Sequence, residues 1–385
     1  MSAPTPAPPG LPPVAALAGE SRESGAALRE AFSRSAARSR PAAQLAVSRQ
    51  GDTVVDLAHG IETDRPVQVF SVSKSLVAVA AALAHDRGEL DLDAPLADYW
   101  PAFDRPATRG ITAMHVLDHS SGISAIASPL TAEQLVAGAL GEAVESQDPM
   151  WEPGSAHAYG AFTFGALMAG VFRHGVGSTV QQYVAREIVE PAGAFFSFGA
   201  DPALRSRLAP LEFRPPVLTE AQAQELMAGT ALQDGSMLPI MMDSPGFFTN
   251  PDVLACDWPA MSGITTAHDL ARIFEAVMGY GREHALLSPA ALARLTGERH
   301  SGPDRGIPFI SRYGAGVELP HALSPLLGPG SFGHQGAGGS VVAVDPGTGT
   351  VFAYVSTLMD ATVGISDQAL VLLAATAADG VGGPR

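Results

Sequence analysis

Of the 23 basic residues in this 385-residue chain, 22 are Arg and one is Lys, at position 74. Arginine keeps its charge in a protein, whereas a buried lysine can give up its proton and serve as a base. The one position that retains Lys is therefore a candidate for acid–base chemistry, with a salt-bridge partner as the plainer alternative. Ser71 lies three residues earlier, in Phe70-Ser71-Val72-Ser73-Lys74-Ser75. On a helix, positions i and i+3 share a face, so the Ser71 hydroxyl and the Lys74 amine can meet; Ser73 and Ser75 flank the lysine and leave the choice ambiguous, with Ser71 preferred because side chains at i and i+1 do not face one another. At a helix start, unpaired N–H groups and the helix dipole favour negative charge. A serine activated by the amine could attack a carbonyl there and help hold the oxyanion on its own N–H. To act near neutral pH, the amine must titrate roughly 3 units below its free value, about 4 kcal/mol. The dipole contributes only about 0.3–1 kcal/mol, so desolvation must supply most of the shift. Val72, Leu76, Val77 and Val79 provide the apolar surroundings.

Such a pair needs a frame. Ser73 to Arg87 reads as a helix, with Leu76, Val79, Ala80 and Leu83 on one face and Gly88 as its stop. Before it, Gln44–Val47 and Thr53–Ala58 are apolar runs parted by Gln50-Gly51-Asp52, a hairpin pattern, and Val67–Phe70 reads as a third strand. Near the C-terminus, Val341–Val344 and Val351–Ser356 flank the turn Asp345-Pro346-Gly347-Thr348-Gly349, and a helix follows over Ser366–Ala377. Helical patterns cover 14–39, 112–119, 131–146 and 161–190. Thr266 and Ser288 read as N-caps of two later helices. Strands near both ends with helices between them predict an α+β fold carrying an inserted, mainly helical domain. The expected boundaries are a Pro-rich mobile tail at 1–13, a sheet domain from 14–100 and 262–385, and a helical domain at 101–261 with a long connection over 205–260.

Four segments in order resemble the penicillin-recognising serine hydrolases: class C β-lactamases, D-alanyl-D-alanine peptidases and family VIII carboxylesterases. Ser71-Val72-Ser73-Lys74 matches the Ser-x-x-Lys pair. Met114 to Gly122 resembles a helix end of that family, and Trp151-Glu152-Pro153-Gly154-Ser155-Ala156-His157-Ala158-Tyr159 resembles the stretch that delivers its catalytic Tyr. Gly333-His334-Gln335-Gly336-Ala337-Gly338-Gly339 matches the His-x-Gly strand. The likeness covers about residues 40–360. It implies a β-lactamase/transpeptidase-like fold, an antiparallel sheet flanked by helices. It implies Ser71 as nucleophile, Lys74 and Tyr159 sharing its proton, and an oxyanion hole from the N–H groups of Ser71 and Ala337. His334 is then expected to donate a hydrogen bond to Tyr159 or substrate, the alternative being a strand histidine satisfied by backbone. The chain departs from the antibiotic-directed members in two places. Tyr159-Gly160-Ala161 lacks the amide of Tyr-x-Asn, and His334 replaces a Lys that would grip a substrate carboxylate. Both departures point to the esterase and acyltransferase branch.

Gly336, Trp151, His157, Met242 and Phe247 complete the expected site as substrate-binding positions. The soft apolar side chains of the 205–260 connection suit an adaptable wall for a hydrophobic ester or thioester, or equally ordinary core packing. His115 and His119 have helical spacing but no His-Glu-x-x-His pattern, so they read as structural, and neither a metal nor a cofactor is expected. The expected partner is a small hydrophobic ester or acyl donor. Net charge is −16, which argues against nucleic acid and anionic membrane surfaces. The single Cys256 excludes an intramolecular disulfide. The Pro-interrupted N-terminus has no basic leader pattern, and no long apolar run occurs, so a cytoplasmic location is expected. The leading function is a serine hydrolase working through an acyl-enzyme. Acyl transfer on the same site is the alternative; β-lactamase or peptidase activity, or a non-catalytic binding scaffold, rank behind.

Overall fold

The computed structural model describes residues 25–36, 41–127, 130–214, 246–359 and 365–380. The expected tail at 1–13 and Met242 lie outside the described residues. In chain order the strands are β1 (Ala43–Arg49), β2 (Asp52–His59), β3 (Val67–Phe70), β4 (Ser197–Phe198), β5 (Glu212–Phe213) and β6 (Gly263–Thr265). Then come β7 (His300–Pro303), β8 (Ile310–Tyr313), β9 (Phe332–Gln335), β10 (Val341–Asp345), β11 (Thr350–Ser356) and β12 (Leu358–Met359).

The main sheet is antiparallel, in the order β2-β1-β11-β10-β9, so the two hairpins from opposite ends of the chain meet at the β1–β11 seam. Gln50 and Gly51 have φ of +52° and +91°, the left-handed pair that a two-residue hairpin turn requires. Side chains alternate between the faces with period two. Along β11, Val351, Ala353 and Val355 enter the larger buried cluster, while Phe352 and Tyr354 enter a smaller one on the opposite face. Helix Ala267–Met278 covers the first face; α1 (Ala26–Ala36) and helix Asp367–Gly380 cover the second.

The helix after β3, α2 (Ser73–Asp86), is buried on every side from Ser73 to Ala84. The sequence predicts one apolar face, but the helix is apolar or small all round and occupies the centre of the molecule. The helical middle supplies α3 (Ala113–Leu117), α4 (Ala132–Val136), α5 (Ala139–Ser146) and α6 (Thr163–Val171). The predicted helix over 131–146 is two helices because Gly138, at φ +86°, turns the chain between them. The hairpin β7–β8 was not anticipated: His-Ser-Gly-Pro breaks the alternation that marks a strand. Among the described residues no helix is long and apolar enough to cross a membrane.

At the site edge, β9 packs so closely on β10 that a Cβ at Gly333 would lie 2.0 Å from the Val342 carbonyl oxygen. Both are backbone, so the strand itself must shift. Gly333→Ala is expected to destabilise the fold by roughly 1–3 kcal/mol. A urea unfolding midpoint unchanged from the parent would contradict this packing.

Candidate active site

The turn from β3 into α2 presents Ser71. Phe70 closes the strand at φ +48°, a left-handed conformation that costs an aromatic residue energy and swings the next side chain out of the sheet. Ser71 is half-buried. The flanking serines are committed elsewhere: Ser73 donates to the Phe70 carbonyl and accepts from Gly263 N at 2.9 Å, and Ser75 donates to the Val72 carbonyl at 2.6 Å. The hydroxyls of Ser73 and Ser75 are engaged with backbone groups, while Ser71 Oγ lies at the Lys74 amine.

Lys74 is fully buried. Its Nζ lies 3.1 Å from Ser71 Oγ, 3.0 Å from the Ala161 carbonyl oxygen and 3.0 Å from the Ala260 carbonyl oxygen. Burial lowers its pKa from 10.5 to about 7. A neutral amine has two N–H donors and one lone pair. The two carbonyls can only accept, so they occupy both donors and leave the lone pair on the Ser71 hydroxyl.

Tyr159 stands beside this pair. Lys74 Nζ is 4.9 Å from its ring centroid, and the Ser71 side chain pairs with its hydroxyl. Burial nevertheless pushes the phenol well above its ordinary value, so it keeps its proton at neutral pH. Its backbone is held on both sides: Tyr159 N donates to Asp304 Oδ1 at 2.9 Å, and Gly160 N to His119 Nδ1 at 3.2 Å. Its ring lies 5.0 Å from that of His119 and stacks on Tyr313 at 6.3 Å. Asp304 also receives Gly306 N and the Ser311 hydroxyl, at 2.7 and 2.8 Å. Because Ser311 spends its proton there, the 2.9 Å contact with His157 makes His157 Nε2 the donor. His157, expected to touch substrate, is therefore tied into the support of the Tyr159 loop. His119 Nδ1 accepts the Gly160 N–H, and His115 Nδ1 accepts the Thr112 N–H at 3.2 Å. No metal-binding group of three or more His, Cys, Asp or Glu occurs among the described residues.

His334 on β9 is buried, with its ring centroid 6.3 Å from that of Tyr159. Burial and the nearby Lys74 charge lower its pKa to about 3, so it is neutral. Its Nδ1–H donates to the Gln335 carbonyl at 2.7 Å, and Nε2 has no hydrogen-bond partner among the described residues. With that proton on the Gln335 carbonyl, Nε2 is left as an acceptor, the arrangement of a strand histidine satisfied by backbone.

Gly336 brings the end of β9 against the backbone of Ser71. A Cβ there would meet the Val69 carbonyl oxygen at 2.2 Å and lie 3.4 Å from Ser71 N. Ala337 follows at the start of a 3-10 turn, half-buried. Neither Ser71 N nor Ala337 N donates to a turn, loop or cap carbonyl among the described residues. Trp151 is half-buried, with the Arg305 guanidinium 5.5 Å over its ring. Phe247 belongs to the main buried cluster, edge-on to Phe248, which itself packs on Phe70. The Phe247 ring also stacks on Trp258 at 6.2 Å.

Four groups had no foreseeable role: the carbonyls of Ala161 and Ala260, the Asp304 carboxylate, and Glu318. Glu318 is buried with Oε1 3.5 Å from His334 Nδ1, and burial pushes its carboxyl up to about 8.

A family model described as Beta-lactamase matches residues 28–376. Esterase/beta-lactamase LipL of Mycobacterium tuberculosis is 28% identical over 351 residues, covering 84% of this chain and 79% of the relative. The structure of EstA from Arthrobacter nitroguajacolicus Rue61a superposes with a TM-score of 0.79 at 27% identity, over 92% of this chain and 96% of that one. A family VIII carboxylesterase shares the fold, with a TM-score of 0.80 at 23% identity over 94% and 99% of the two chains.

Proposed function

Because the chain belongs to the Beta-lactamase family, and is a hydrolase of that family close to esterases, we propose that it cleaves a hydrophobic carboxylic ester or thioester through an acyl-enzyme on Ser71. The observation that carries this reading is the Lys74 amine, pinned by two carbonyls with its remaining position at Ser71 Oγ. Ser71 Oγ attacks the ester carbonyl carbon as its proton passes to Lys74 Nζ. The carbonyl oxygen becomes an oxyanion received by the N–H groups of Ser71 and Ala337. Tyr159, still protonated, gives its proton to the departing alkoxide oxygen and is refilled from the Lys74 ammonium. The C–O bond to the alcohol breaks and the acyl-enzyme remains. Water then attacks by the reverse proton path, releasing the acid and Ser71. An alcohol in place of that water gives acyl transfer, the alternative reading on the same residues.

A β-lactam substrate fits less well. The His334 position carries no positive charge to hold a substrate carboxylate, and Ala161 brings no side-chain amide. Labelling with a fluorophosphonate and peptide mapping is expected to place the adduct on Ser71 and to fail in Ser71→Ala. The parent is expected to turn over p-nitrophenyl butyrate faster than a chromogenic cephalosporin. The reverse order, or an adduct elsewhere, overturns the esterase reading.

A further inference from the structure

Against Tyr313, which stacks on Tyr159, lies a cavity of about 210 Å³ that the proton path leaves unused, lined among others by Tyr313, Glu318, Ser324 and Gln335. Three side-chain atoms of its lining are buried without a hydrogen-bond partner among the described residues: Glu318 Oε2, Ser324 Oγ and Gln335 Oε1. An unpartnered buried polar atom costs stability, and three around one cavity point to a ligand that satisfies them. Glu318 is 5% exposed and Ser324 1%, so these are fixed walls and not surface side chains.

We propose that this cavity is the subsite for the alcohol part of the ester, and that it takes an alcohol bearing a further neutral hydrogen-bonding group such as a second hydroxyl. This deepens the esterase reading and rests on it. Tyr159 protonates the leaving oxygen in that reading, so the alcohol must lie next to Tyr159. Tyr313 stacks on Tyr159 and also lines the cavity. A carboxyl pushed up to about 8 keeps its proton at neutral pH and can donate as well as accept. Gln335 Oε1 accepts and Ser324 Oγ does either, a set that matches hydroxyl groups. The one cation in the lining, Arg312, is already engaged with Glu298 and with the Pro320 carbonyl. The exposed side chains of Ile310 and Leu323 give the lining an apolar margin for carbon.

The test compares two butyrate esters with the same acyl group, glycerol 1-monobutyrate and propyl butyrate. The parent is expected to favour the glycerol ester roughly 10-fold in kcat/KM, the scale of one or two net hydrogen bonds. Ser324→Ala should reduce that ratio severalfold and Glu318→Leu should bring it near one. Glu318→Gln, which keeps a neutral donor and acceptor, should retain it. Thermal unfolding of each variant establishes that it is folded, and Ser324→Ala, a small truncation, keeps the test open if Glu318→Leu is not. A parent ratio near one with Ser71 still labelled by fluorophosphonate overturns the subsite alone, as does a ratio that Ser324→Ala leaves unmoved. No turnover of either ester and no labelling overturns the esterase reading beneath it.

Discussion

Lys74→Arg is expected to lower kcat/KM for a p-nitrophenyl ester by roughly 10²–10⁴-fold, the span of general acid–base catalysis. The substitution keeps a cation and removes the base, because a guanidinium does not deprotonate in a protein. In the parent, kcat/KM should fall on the acid side through a pKa near 7, since the amine must be neutral to accept the Ser71 proton and its folded-state value is about 7. Whatever activity Lys74→Arg retains should lack that limb. Stability gives an independent readout. Lys74 binds its proton less tightly in the fold than in the unfolded chain, about 7 against 10.5. Between those values the unfolded state carries more protons, so stability rises with pH across that window by about 1.4 kcal/mol per unit from this group. Below pH 7 the full penalty applies, about 5 kcal/mol at 1.36 kcal/mol per unit. Lys74→Met removes the titration, so the stability of the parent relative to Lys74→Met should climb from pH 7.5 to 10. A flat difference between them, or a parent without an acid limb near 7, would mean that the amine is not the base.

The legibility of this chain in its sequence follows from which groups carry the work. The hairpins β1–β2 and β10–β11 announce themselves through alternation and turn chemistry, and α2 through its length. Lys74 is conspicuous because no other lysine occurs, and Ser71 because helical spacing ties the two together. The groups that aim the amine are different in kind. The Ala161 and Ala260 carbonyls are backbone acceptors, 87 and 186 residues from Lys74, and a backbone atom has no residue-type signature. Asp304 carries no distinguishing signal in the sequence, and only the tertiary fold shows that its carboxylate holds the Tyr159 loop from 145 residues away. Glu318 lies in Gly-Ala-Gly-Val-Glu-Leu-Pro, where the neighbouring apolar residues could have suggested burial, but a buried carboxyl is the rarer outcome for Glu. The roles of His157 and His334 are illegible in the sequence for one cause. The role of an imidazole depends on which nitrogen carries the proton, and here that is set by Ser311 and by the Gln335 carbonyl, which sequence spacing does not encode.

Removing the Tyr159 hydroxyl tests a different step, and its effect should depend on the substrate. For an alkyl ester such as propyl butyrate, the departing alkoxide is strongly basic and must be protonated as it leaves. Tyr159→Phe should therefore reduce kcat/KM by roughly 10²–10³-fold, within the range of a single general acid. A p-nitrophenolate leaves without a proton, so the same variant should lose far less on p-nitrophenyl butyrate during acylation. The contrast follows from the proton held on Tyr159: burial keeps the phenol neutral, with the Lys74 amine 4.9 Å from its ring centroid as the group that refills it. Were Tyr159 the base that activates Ser71, both esters would suffer equally, because proton removal from Ser71 precedes any difference in leaving group. Were it only a packing element against His119 and Tyr313, Phe would replace it with little loss on either. Measuring the two esters in parallel on the parent and Tyr159→Phe therefore separates three roles by the pattern of losses. Only a large loss on the alkyl ester with a small one on the aryl ester is compatible with Lys74 taking the Ser71 proton and Tyr159 delivering it to the alcohol.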